Sequence, residues 1–101
     1  MQSEDSGISQ KEDTQILLEV HGGTAEEYQL LRSRLWNDEL GEYLSFGIRI
    51  RWSGETAELI DLAPDEEAVR KFVLLCAQEN ASPGQLTELA EDFLGGLYGS
   101  V

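Results

Sequence analysis

A chain of 101 residues holds one domain at most, and 41% hydrophobic residues are enough for a small core. With 20 acidic against 7 basic residues the net charge is −13, so nucleic-acid backbones and anionic membranes are repelled at long range. A single cysteine excludes an intrachain disulfide, and no apolar run approaches the roughly 18 residues of a membrane span.

Residues 1–13 have neither the basic start nor the apolar stretch of a secretory signal, and the expectation is a cytoplasmic protein. Beyond Met1 their large apolar side chain is Ile8, too little to repay the ordering of a backbone, so 1–13 read as a disordered acidic tail ahead of one domain over 14–101. Thr14, Ile16, Leu18 and Val20 alternate with Gln15, Leu17, Glu19 and His21, which predicts a half-buried strand, and Gly22-Gly23 marks a turn. Residues 24–37 support two readings. Thr24 with Glu27 makes a capping box, and Ala25, Tyr28, Leu31 and Leu35 share a helical face; a strand from about Glu27 to Trp36 fits equally between two turn signals.

The clearest strand follows, with Leu44, Phe46, Ile48, Ile50 and Trp52 alternating with Ser45, Gly47, Arg49 and Arg51. Ser53-Gly54-Glu55 turns the chain into Thr56–Leu62. A three-residue loop sets Ile60 and Leu62 on the side of Ile48 and Phe46, whereas a two-residue loop sets Ala57 and Leu59 there. Pro64 suits a first helical position ahead of Asp65, Glu66 and Glu67, and Val69, Phe72, Val73 and Cys76 form an apolar stripe up to Asn80-Ala81. Ser82, Pro83 and Gln85 supply the cap, first turn and box of a second helix. Its stripe is Leu86, Leu89, Ala90, Phe93, Leu94 and Leu97, and Gly95-Gly96 predicts fraying of its last turn. Strands first and helices last predict an α+β domain, an antiparallel meander of three to four strands with two C-terminal helices packed on one face.

Phe46-Gly47-Ile48-Arg49-Ile50, Ile60-Asp61-Leu62 and Ser82-Pro83-Gly84-Gln85-Leu86 running on to Glu91-Asp92-Phe93-Leu94 resemble a family of small uncharacterised proteins, a domain of unknown function, from anaerobic Gram-positive bacteria. The resemblance covers about residues 27–98. It implies a strand ahead of the Gly-Ile strand, which favours the strand reading of Tyr28–Trp36. Ala63 and Gln85 depart from the Ser or Thr and the His usual in that family. The family has no established activity, so the resemblance implies a fold and no site.

Residues with reactive chemistry have ordinary readings. His21 flanks a turn with no nucleophile or orienting group identified beside it, and Cys76 lies on a buried stripe. Glu88, Glu91 and Asp92 share one side of a helix but lack the pattern of a calcium loop or a di-metal helix pair, and neither Gly-Gly pair has the rest of a phosphate loop. Accordingly no catalytic residue, metal ligand or cofactor is expected. The arginines are different. Arg32 and Arg34, and again Arg49 and Arg51, are spaced i, i+2, so each pair shares one face of its strand. A hairpin about Gly41 that sets Arg32 opposite Arg49 would line the open sheet face with four guanidinium groups, beside Tyr28 and Trp36.

That expectation makes Tyr28, Arg32, Arg34, Trp36, Arg49 and Arg51 the candidate contact surface of a small binding or regulatory module. Its partner would be a protein or an acidic or phosphorylated ligand, with nucleic acid the least favoured because of the net charge. The alternative is a small enzyme whose site is built at a dimer interface.

Overall fold

The computed structural model describes residues 13–22 and 26–98. Four strands, β1 (Thr14–His21), β2 (Glu27–Asn37), β3 (Gly41–Trp52) and β4 (Glu55–Ala63), form one antiparallel sheet in the order β1-β2-β3-β4. Helix α1 (Glu66–Gln78) and helix α2 (Leu86–Tyr98) follow, with a single 3-10 turn at Pro83–Gln85 leading into α2. The chain thus adopts the expected α+β meander, and the ambiguous segment is strand from Glu27 to Asn37. The expected disorder of the tail falls on residues 1–12, outside the described residues. Asp13 is already tied to the sheet, its carbonyl accepting from Arg34 N at 3.2 Å.

Turn chemistry sets the pairing. Between β2 and β3 the chain reverses over three residues, Asp38 to Leu40. Asn37 Oδ1 accepts from Leu40 N at 2.6 Å, and Gly41 takes φ +72°, a left-handed conformation that glycine adopts without a Cβ penalty. Between β3 and β4 the reversal takes only Ser53 and Gly54, and Trp52 pairs with Glu55. The shorter loop therefore holds, and Ala57 and Leu59 lie opposite Ile50 and Ile48.

Two irregularities break the alternation. In β1 the register shifts at Leu17, so Leu18 and Val20 pair with Leu30 and Tyr28 on the helix side while Ile16 pairs with Leu31 on the other face and is half exposed. In β4 the register jumps from Leu59 opposite Ile48 to Ala63 opposite Phe46. Gly47 sits at that jump, where the backbone of β4 presses against it: a Cβ there would lie 1.9 Å from the carbonyl oxygen of Leu59.

Helix α1 begins two residues later than its proline suggests. Asp65, not Ala63, is the N-cap, its side chain accepting from Ala68 N at 3.2 Å, and Pro64 stays outside the helix. The end is closed by Asn80 at φ +57°, with Asn80 N on Ala77 O and Ala81 N on Cys76 O at 2.9 Å, a left-handed cap that satisfies the last carbonyls. Ser82 then opens the next helix as expected, with Gln85 Oε1 accepting from Ser82 N at 2.9 Å.

One core joins the layers: Tyr28, Leu30, Phe46, Ile48 and Ile50 from the sheet, Val69, Phe72, Val73 and Cys76 from α1, and Leu86 and Ala90 from α2. Phe72 and Phe93 stack with centroids 4.6 Å apart and tie the helices together. Burial pushes the Cys76 thiol up to about 11, which keeps it protonated and inert near neutrality. Tyr28 is wholly buried and donates to Ala81 O at 2.8 Å, fastening the interhelical connector to the sheet.

Candidate functional site

The arginine island does not form. Arg49 stands opposite Gln29 and Arg32 opposite Phe46, a displacement of three residues from the pairing that would join the arginines. Because side chains alternate with period two, an odd displacement sends the two pairs to opposite faces of the sheet. Arg49 and Arg51 lie on the open face. Arg32, Arg34 and Trp36 follow Tyr28 and Leu30 on the helix side. Tyr28 itself belongs to the core and offers no surface for a partner.

On the open face, polar side chains satisfy one another in rows that cross the strands. Arg49 Nε donates to Glu58 Oε1 at 2.8 Å and its Nη1 to Gln29 Oε1 at 3.0 Å, while Gln29 Nε2 reaches Glu19 Oε1 at 3.5 Å. Arg51 lies 3.4 Å from Glu27. A second row is built of hydroxyls. Thr14 and Ser33 share a hydrogen bond of 2.9 Å, and Ser45 and Tyr43 donate to the two oxygens of Asp61 at 2.6 and 2.8 Å. Donation to that carboxylate raises the Tyr43 phenol above its ordinary pKa. Gln29, Ser33 and Ser45 are buried, and each has a partner in these rows or across the neighbouring strand.

Arg49 is therefore part of the sheet's own wiring, with its side chain only 26% exposed. Arg49→Ala leaves the buried Gln29 Oε1 without its donor and should cost about 1–3 kcal/mol in urea unfolding. Arg34, whose partner Glu42 is equally exposed at a distance of 3.2 Å, should change stability by less than about 0.5 kcal/mol when replaced by Ala. Equal costs for the two variants would show that the row contributes nothing.

On the helix side, burial ends near Phe46. The chain leaves the sheet at Ala63, the partner of Phe46, to enter α1, and returns at Ala81 beside Tyr28, so α1 runs over the rows from Phe46 to Tyr28. The end of the β2–β3 hairpin exposes Trp36 (68%), Leu40 (65%) and Leu44 (48%). Leu44 also lines an open cleft of about 520 Å³ with Asp13, Gln15, Arg32, Arg34, Glu42 and Tyr43, whereas Trp36 borders a separate pocket with Thr14, Leu35, Tyr43, Ile60 and Asp61. The side chain of Arg32 donates to the neutral amide of Gln15. Of the candidate residues, then, Arg32 and Arg34 come together in one cleft, and Trp36, Arg49 and Arg51 do not line it. Leu40 and Leu44 were missed because one lies in a polar turn and the other begins a strand of core residues. Their nearness to Trp36 was the available signal.

The remaining candidates separate likewise. His21 Nε2 lies 3.2 Å from Glu19 Oε2 on the open face, whereas Glu88, Glu91 and Asp92 are exposed along α2. No described helix is long and apolar enough to cross a membrane. No family model matches the chain, and neither the curated proteins nor the solved structures contain a match.

Proposed function

We propose that this protein is a non-catalytic binding module of the cytoplasm that docks a protein partner on the end of its β2–β3 hairpin. The observation that carries this reading is the exposure of Trp36, Leu40 and Leu44 at the end of one hairpin, with Leu44 lining the cleft that holds Arg32 and Arg34. Solvent-exposed Trp and Leu at one end of a hairpin form an apolar patch of the kind that marks contact sites, and Trp and Arg are the residues that most often dominate binding energy.

Charge narrows the partner. Arg32 and Arg34 balance Asp13 and Glu42 in the cleft, so this end is the least repulsive part of a molecule of −13 for an acidic chain. The planar guanidinium of Arg32, held by a neutral amide, has donors left for a carboxylate. The partner segment best suited is an apolar side chain that seats on Trp36 and Leu44 with an acidic residue next to it.

Affinity capture from the native cell with wild type, the Trp36→Ala/Arg32→Ala double variant and Arg51→Ala tests the reading. Wild type and Arg51→Ala should recover the same partner and the hairpin variant should lose it. Recovery undiminished by the hairpin substitutions overturns the proposal.

A further inference from the structure

We propose that Glu19, His21 and Glu27 form a binding site for a divalent transition metal, with zinc the best-matched ion. The three residues lie on the open face at the β1–β2 end of the sheet, away from the hairpin patch. Glu19 and His21 are two residues apart on β1, so their side chains project from the same face, and Glu27 is the direct cross-strand partner of His21. One ligand atom from each residue comes within 4.8 Å of the other two.

The His21–Glu19 distance suits a shared ion. Zinc bonds of about 2.0–2.2 Å to nitrogen and oxygen place two ligands of one tetrahedral shell roughly 3.3–3.6 Å apart. His21 Nε2 and Glu19 Oε2 are already 3.2 Å apart, so little movement is needed to bring them to one cation.

A second observation comes from Glu27. Its Oε1 is shielded from solvent and accepts no hydrogen bond, although Arg51 Nη1 stands 3.4 Å away. A buried carboxylate oxygen with only a loose charge contact is an acceptor with capacity to spare, and a metal ion would use it. The scaffold is pre-formed, because the β1–β2 ladder fixes Glu27 against His21 and Gly22 N donates to Glu26 O at 2.8 Å just beyond.

The donor set selects the class of ion. One imidazole and two carboxylates favour borderline ions such as zinc or cobalt over calcium and magnesium, which prefer six or more oxygens. Two carboxylates offset a dication, less the share of Glu27 that Arg51 takes, and the net charge of −13 concentrates cations around the molecule. Three protein ligands leave a fourth position to water.

His21 is the single histidine of the chain, so its ring resonances in an NMR spectrum are unambiguous. Zinc chloride titrated into the full chain in the presence of excess magnesium should shift those resonances to a plateau at one equivalent. Glu27→Gln and His21→Ala should each weaken binding by more than about tenfold, measured by calorimetry, with thermal melts confirming that the variants are folded. Glu19→Gln, at a more exposed carboxylate, serves if Glu27→Gln does not fold. Glu88→Gln on α2 should bind as wild type. His21 resonances unmoved by stoichiometric zinc, or binding indifferent to the loss of either β1–β2 carboxylate, overturns the proposal.

Discussion

Gly47→Ala should cost more than about 3 kcal/mol, among the largest effects available to a one-methyl change in this chain. The new Cβ would stand 1.9 Å from Leu59 O and 2.6 Å from Ile60 O. Both are backbone atoms, which no rotamer change can move aside, so β3 and β4 would have to separate where the register jumps between Ile48 and Phe46. That separation pulls Ile48 and Phe46 away from Leu59 and Ala63 at the centre of the core. A small domain has roughly 5–15 kcal/mol of stability, so a loss of this size is a large fraction of it. Urea unfolding followed by tryptophan fluorescence reads the loss directly. A midpoint within about 0.5 kcal/mol of wild type would mean that the bulge relaxes freely and that the close approach is not a constraint.

Phe72→Ala should cost about 3–5 kcal/mol. Its ring is buried between the sheet and α2 and stacks on Phe93 at an interplanar angle of 20°, so truncation removes both the apolar contact and the link between the helices. The same truncation deepens the interhelical groove, which Phe72, Leu75, Cys76, Leu89 and Phe93 line. Phe93→Ala should cost less, because Phe93 is only partly buried. Leu75→Ala, at a half-exposed site on the same groove, calibrates the series and should fall well below both. If Phe72→Ala and Leu75→Ala melt together, the stacked pair does not anchor the helices.

The helices and the strongest strand were legible in the residues because their signals are local. The stripe Val69, Phe72, Val73 and Cys76 repeats at the helical period and is buried as that period requires, and Ser82 with Gln85 caps the next helix through bonds three residues apart. The alternation from Leu44 to Trp52 likewise needs only the pleat, and it defines one strand, although Leu44 stays exposed. From these, the order of strands followed by helices yields the α+β class.

The site was not legible, since it depends on which residue of one strand meets which residue of the next. Each arginine pair shares a face because i and i+2 always do. Whether the two pairs share the same face rests on the parity of the β2–β3 register, and the three-residue turn with Gly41 in the left-handed region sets it against them. The extra residue at Leu17 acts in the same way, turning Ile16 outward against the plain alternation, and the two-residue turn at Ser53-Gly54 is what sets Leu59 inward. Local pattern determined the elements, whereas only the tertiary structure decided which side chains meet. A sheet's side-chain period is two, so one added or missing residue in a loop or bulge reverses every neighbour beyond it while leaving the hydrophobic pattern of each strand unchanged.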